Sequence, residues 1–530
     1  MRASAIAIAL IGLSLLVSCG RDKPAEIVNV EISLADLQDK IKGGWVGQII
    51  GVSYGAPTEF RYRGQIIPEE ALPEWKPEMV KNAINQDDIY VDMTFAQVLD
   101  EVGLDATTED FGAMFKNSKY RLWHANLAGR RNLRRGIPAR ESGTPQHNIH
   151  ANDIDFQIEA DFIGLMTPGM PMVSNRYCWR AGRVMNYGDG IYGGMFVCGM
   201  YSAAFFERDP RKIVEQGLAC LPPRSPYAQV IADTLQWSKE NPGNWTATWQ
   251  LIQDKWDKDD PCPSGALNPF NIDAKLNGAY IALGLLYGGG DLEQTIKIST
   301  RAGQDSDCNP SSAAGILGVV LGYNAIPEIW KAGIPEMENE TFSYTNYTHN
   351  TIVESTTKRA VDLAQQYGGQ FLGESLIIRI QQPEPAELEV WDDYGTPVER
   401  IGADDERWSF NGRWTTEQGD SRGAAFTERR SSAKGAEATV TFEGTGFILS
   451  GSYLPTGGKA DVSLDGQPAE TIDAYIDAER PRSMESLMHR FNLPAGPHTV
   501  RLVVRGEPYE GNMAEQKGRD VVIRDLIVFR

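Results

Sequence analysis

The chain has 530 residues, 42% of them hydrophobic and 23% charged, with a formal net charge of −20 and a pI near 4.9. At roughly 150 residues per domain this is a globular protein of two to four domains, and disorder is excluded. The acidic balance also excludes a nucleic-acid surface, since a phosphate polymer would be repelled, but it leaves room for a compact site that holds divalent cations.

An apolar run follows Met1 and Arg2 and ends in Leu16-Val17-Ser18-Cys19. It is too short to span a bilayer comfortably as a mature helix, and it resembles a bacterial lipoprotein signal cut before a lipid-modified cysteine. The expectation is a signal peptide over 1–19, lipidation at Cys19 and a polar tether over 20–30. The chain would then be exported and membrane-anchored, in the periplasm or at the cell surface. An uncleaved N-terminal anchor is the competing reading, and it exports the bulk of the chain equally.

Ser33 reads as the N-cap of a helix in which Leu34, Leu37, Ile41, Trp45 and Ile49 follow helical spacing. This helix runs into Gly51-Val52-Ser53-Tyr54-Gly55-Ala56-Pro57-Thr58-Glu59. Taken alone, Glu59 is an ordinary loop carboxylate. In Asn85-Gln86-Asp87-Asp88-Ile89-Tyr90-Val91-Asp92 two adjacent acids open a helix, where they suit the dipole. Buried, the same pair makes sense chiefly if a cation neutralises it, and Asp92 follows Asp88 by one turn.

Arg130, Arg131, Arg134 and Arg135 form a basic cluster able to hold a phosphate or sugar acid, or simply to pair with surface acids. Asp153, Asp155 and Glu159 lie in a stretch that reads as one helix bounded by Pro168 and Pro171. Around Asn186, the glycines of Gly188-Asp189-Gly190 permit close backbone approach to a ligand or, more commonly, to a neighbouring helix. Without a strand before it, this is no dinucleotide fingerprint. Helical stretches continue over 210–219, 227–240, 245–256, 277–287 and 292–300, as in a bundle.

In GQDSDCNPSSAAGILGVVLG, from Gly303, Asp305 and Asp307 alternate across Ser306, so an extended loop can aim both carboxylates at one point. Asn309 reads as an N-cap with Pro310 at N1. Gly315, Gly318 and Gly322 strip one helix face for close packing. A last helix runs from about Thr351 to Tyr367, and from Ser375 the periodicity changes to two. Short alternating strands between glycine turns then predict a β-sandwich, in which Trp408, Trp414, Tyr453 and Tyr475 are either core or sugar-stacking platforms. His498 reads as a turn residue.

After Cys19 the cysteines are Cys178, Cys198, Cys220, Cys262 and Cys308, an odd number without a CxxC, so no zinc ribbon is expected. One or two disulfides stay open, and Cys308 reads as packing. None of the six histidines has a recognisable partner, and no Gly-x-Ser-x-Gly elbow is expected to serve a triad.

The 51–59, 85–94 and 303–330 stretches together resemble, in order, the metal motifs of the ADP-ribosylglycohydrolase family, over about Ser33 to Tyr367. The resemblance implies an all-α catalytic domain with two divalent ions. It implies Glu59, Gln86, Asp87, Asp88, Asp305 and Asp307 as metal ligands, with Glu59, Asp88 and Asp305 the candidates for catalysis. Oxygen-only ligands favour Mg2+, or Mn2+ in its place. Val52 stands where the family usually has Asp, and Gln86 and Ile89 replace its usual threonines. Its Gly- and Ser-rich loop for ADP-ribose has no good match here.

The fold class expected is multidomain: an all-α ADP-ribosylglycohydrolase-like bundle over 31–370, a junction over 371–400 and an all-β sandwich over 401–530. Asp92, Asp155, Asn186, Asp189 and Arg131 are the expected substrate-binding residues. The expected activity is metal-dependent cleavage of a glycosidic bond in a glycan or glycoside. The alternatives are an ADP-ribosyl-acceptor hydrolase and a non-catalytic glycan-binding lipoprotein.

Overall fold

The structure is a computed structural model that describes residues 28–258, 260–421, 424–478, 480–511 and 517–530. The signal segment and Cys19 lie outside the described residues. Among those described, no helix is long and apolar enough to cross a membrane. Helices occupy the chain from Leu34 to Gln366, and a C-terminal domain of antiparallel sheets follows.

The Leu34–Gly55 helix begins as expected at Ser33, whose hydroxyl accepts the Asp36 N–H at 3.0 Å. Its glycines at 43, 47, 51 and 55 recur every four residues and so share one face. They lie against the Cys308–Leu321 helix, opposite Gly318, Ala314, Pro310 and Ser306 respectively. Each pair of numbers sums to 361, so the helices run antiparallel in a fixed register. A Cβ at any of the four would lie under 3.0 Å from a backbone carbonyl of the partner. The two backbones therefore touch, and this register sets the end of the first helix beside the loop of Asp305 and Asp307.

Several expectations change here. The Cys308 helix takes Asp307, not Asn309, at its N-cap position, and Asn309 lies within the helix, donating to Asn277 Oδ1 at 3.0 Å. All three expected glycines meet the first helix: Gly318 lies on the Gly43 carbonyl, Gly315 lies between Tyr201 and the Gly44 carbonyl, and Gly322, at φ 77°, ends the helix beside Asp39. The stretch before Pro171 is two short helices, Asp155–Ile158 and Asp161–Leu165, broken where Glu159 leaves helical geometry.

Residues placed in the tether and the junction are strands of one sheet. Val28–Ser33 pairs antiparallel with Ser375–Ile380, from Val28 opposite Ile380 to Ser33 opposite Ser375, and Gln370–Phe371 flanks them. Ile32, Leu376 and Ile378 are buried there, so the two ends of the helical domain close on each other.

The C-terminal sheets have five and six strands. Glu437–Gly444 alternates inward and outward residues, as a strand with one solvent face should. Gly446–Tyr453 and Val521–Phe529 are buried along their whole length. Their outer faces are covered because Ile448, Ile527 and Phe529 pack with Ile149, Ala151 and Ala266 of the helical domain and with Trp391. Asn152 fixes the connecting segment by donating to the Trp391 carbonyl at 2.9 Å.

The candidate sugar platforms all have partners within the protein: Trp408 and Tyr453 are buried, while Trp414 and Tyr475 are half-buried. Trp408 is buried and stacks on Phe410, Trp414 donates to the carbonyls of Asn411 and Glu437, and Tyr475 stacks on Tyr509. Tyr453 lies beneath the Arg131 guanidinium, 3.3 Å from its ring centre. His498 sits within a strand and bonds Asp465 at 2.7 Å rather than marking a turn. The five described cysteines are free thiols.

Candidate metal centre and cavity

A cavity of about 1100 Å³ opens where three loops meet. Glu59, Asp87 and Asp305 supply acid to its lining, with Gln86 beside them. Asp88 and Asp307 are buried next to it, 1% and 2% exposed. One carboxylate oxygen from each of Glu59, Asp305 and Asp307 falls in a group within 4.8 Å of one another. Ligand-type atoms of Asp88, Asp307 and Cys308 form a second such group, so Asp307 belongs to both.

These acids crowd one another out of water. Burial first, then the neighbouring carboxylates, pushes Asp88, Asp305 and Asp307 far above the usual carboxylate range, and burial raises Asp87 too. Asp88 Oδ1 and Asp305 Oδ1 are buried without a hydrogen bond. A divalent cation would satisfy those oxygens and reverse the repulsion, so the residues present fit one. The Cys308 thiol lies among these acids and donates to Asp88 Oδ2 at 3.2 Å.

The loops that carry the acids are held in strained backbone. Phe60 and Gln304 take φ of 49° and 53°, in the left-handed region that non-glycine residues avoid. Phe60 N–H donates to the Gln304 carbonyl and Gln304 N–H to that of Tyr62, each at 2.9 Å. The Gln304 amide also accepts from Asn271 N–H at 3.1 Å and donates to the Pro269 carbonyl at 2.9 Å. Thr58 and Ser306 join hydroxyls at 2.8 Å. The Glu59 and Asp305 loops are thus one hydrogen-bonded unit.

The walls include the aromatic rings of Phe60, Trp123, His124 and Phe270. Arg63 lies over Phe270, and Arg482 of the sheet domain lies over Trp123, at 4.7 and 4.5 Å from the ring centres. Met484 of the sheet domain also lines the cavity, so that domain forms part of the wall. These residues come from four separate stretches with no shared motif, and composition offered no signal for them.

The expected substrate residues divide. Asp155 lines the cavity, but its carboxylate accepts the N–H groups of Ala125 and Asn126 at 3.2 and 2.9 Å, at the start of the His124–Arg134 helix. Burial raises it to about 7. The other four do not line the cavity. Asp92 is fully buried and accepts from Gln48 at 2.9 Å. Asn186 ties the 151–156 loop, donating to the carbonyls of Ala151 and Asp153 and accepting from Phe156 N–H. Asp189 accepts the N–H of Tyr227. Arg131 is paired with Asp473 at 3.0 Å, where it helps join the two domains. Its neighbours Arg134 and Arg135 also pair with sheet-domain acids. Three arginines of the basic cluster thus pair with acids of the same chain, and Arg130 donates to the carbonyls of Ser118 and Tyr120.

An all-helical domain that gathers acids from three loops at one cavity defines a protein with a candidate divalent-metal centre. The profile of the ADP-ribosylglycohydrolase family matches residues 33–368, and the chain belongs to that family. Hydrolase activity goes with that membership. Among solved structures the chain is similar to an ADP-ribosylglycohydrolase-related protein complex, at 15% identity and TM-score 0.38, covering 62% of this chain and 98% of that one. It is also similar to a two-domain esterase active on acetylated mannans, co-crystallised with mannopentaose, at 14% identity and TM-score 0.20, covering 34% and 46%. A third likeness is the CBM36-1 domain of a multidomain xylanase from the hindgut metagenome of Trinervitermes trinervoides, at 18% identity and TM-score 0.17, covering 24% and 94%. At these scores the likenesses bear on neither substrate nor mechanism. No curated protein matches the chain significantly.

Proposed function

We propose that the chain is an exported, metal-dependent glycosyl hydrolase, anchored through lipid at Cys19, that cleaves a glycosidic bond of a glycan or glycoside. The observation that carries the reading is Asp307, shared by two groups of candidate ligands beside an open cavity. Two ions of the Mg2+ or Mn2+ type would be held by Glu59, Asp87, Asp88, Asp305 and Asp307, with Gln86 able to add a carbonyl oxygen. When bound, such ions supply positive charge to sugar hydroxyls and to the departing oxygen. Glu59 is exposed at the cavity and can take a proton from an attacking water. Asp88 and Asp305 hold the floor, and the aromatic walls suit the apolar face of a sugar ring.

The enzyme alternative is release of ADP-ribose from a modified acceptor. Arg61 and Arg63 on the cavity lining favour an anionic substrate and support it. Calorimetry with Mg2+ and Mn2+ on residues 20–530, beside Asp305→Ala/Asp307→Ala, tests the shared basis. Binding in the parent that disappears in the variant is expected; no binding in the parent would end the metal mechanism. Parallel assays on glycosides and on ADP-ribosylated acceptors then separate the two substrates.

A further inference from the structure

Four side chains outside the acidic centre converge on the same cavity wall. His124 opens the helix that follows Trp123, His150 and Asp153 share one loop, and Cys262 comes from a third segment. One ligand-type atom from each lies within 4.8 Å of the others. His150, Asp153 and Cys262 are 3%, 2% and 0% exposed, while His124 reaches the cavity.

The contacts inside this group are few. Asp153 Oδ2 stands 2.7 Å from His150 Nδ1 and 3.6 Å from His124 Nδ1. His150 Nε2 is buried without a hydrogen-bond partner and lies 3.9 Å from Glu485 Oε2 of the sheet domain. The His124 ring is set by stacking on Phe270, and its backbone takes φ 40° to present it there.

We propose that His124, His150, Asp153 and Cys262 form a second metal site, for a four-coordinate transition ion of the zinc class. Tetrahedral bonds of ~2.0–2.3 Å place ligand atoms about 3.3–3.8 Å apart. The His124–Asp153 separation already meets this, and the hydrogen-bonded His150–Asp153 pair must open by roughly 0.6–0.8 Å to admit the ion. Two imidazoles and a thiol select a borderline-soft cation over magnesium, the reverse of the acidic centre. One ion would join three loops of the cavity wall and set His124 in place. Glu485 stands close enough to orient His150 from the other domain.

Cobalt(II) is the probe, added to the full chain and read by absorption. We expect one equivalent to give tetrahedral d–d bands and a near-ultraviolet thiolate-to-cobalt charge-transfer band. The charge-transfer band should vanish in Cys262→Ser and survive in Cys308→Ser and in Asp305→Ala/Asp307→Ala. His124→Ala, at the cavity edge, should weaken cobalt binding at least tenfold with unchanged circular dichroism. Absence of the band, its survival in Cys262→Ser, or its loss in Cys308→Ser would each overturn the site. The last result would assign the thiol to the acidic centre instead.

Discussion

Replacing Gly51 by alanine tests whether backbone contact between two helices positions the carboxylates. The new Cβ would lie under 3.0 Å from the carbonyl of Pro310 and the nitrogen of Ser311, all main-chain atoms that cannot rotate aside. Relief requires the helices to part by about 1 Å. Alanine gains ~1 kcal/mol in helix propensity, while overpacking costs ~1–3 kcal/mol, here at the upper end, so the net loss is about 1–2 kcal/mol. Pro310 follows Asp307 by three residues, and the displacement reaches the metal centre, where a misplaced ligand lowers Mg2+ affinity roughly tenfold or more. Gly44→Ala is the matched control in the same helix: it meets methyl groups of Leu165 and Val319, which can swing away. Urea denaturation and Mg2+ calorimetry on both variants measure the two effects. Equal stability of the two variants, with parental metal affinity in Gly51→Ala, would refute the reasoning.

Asp189→Asn should flatten part of the pH dependence of stability. Burial, with Asp273 and Asp392 opposing the pull of Lys275, raises the folded carboxyl from 3.8 to about 7. Between those values the folded state keeps a proton that the unfolded state has lost, so stability falls as pH rises from about 4 to 7. The amide mimics the protonated acid and should stabilise the protein at pH 7.5 by up to about 4 kcal/mol, measured by denaturation at pH 5 and 7.5. Thr58→Val removes the 2.8 Å hydroxyl link to Ser306 and should cost ~1–2 kcal/mol together with weaker Mg2+ binding by calorimetry. Arg131→Ala loses both Asp473 and the face of Tyr453 and should cost about 3 kcal/mol, seen as faster proteolysis between the helical and sheet domains.

Some of this was written locally. Ser33 caps a helix through its own hydroxyl, Asp87 and Asp88 start another, and the change from helical to alternating periodicity marks the sheet domain. The three acidic motifs could be set side by side because each is a short stretch with its own chemistry. Their meeting depends on contacts far apart in sequence. Gly55 reaches Ser306 only when the glycine face of the first helix is docked, and the sequence alone does not show which helix fills that face.

Tertiary structure also decided which polar groups remain for function. Arg131 and Asp92 look identical to binding residues until Asp473 and Gln48 are seen to occupy them. Conversely, His124, His150 and Cys262 lie in unremarkable local contexts, and only folding brings them within reach of Asp153. Sequence by itself determined which side chains can bear charge, cap a helix or bind a metal. The fold determined which are buried together, and burial raises the energetic cost of leaving those charges and hydrogen bonds unpaired.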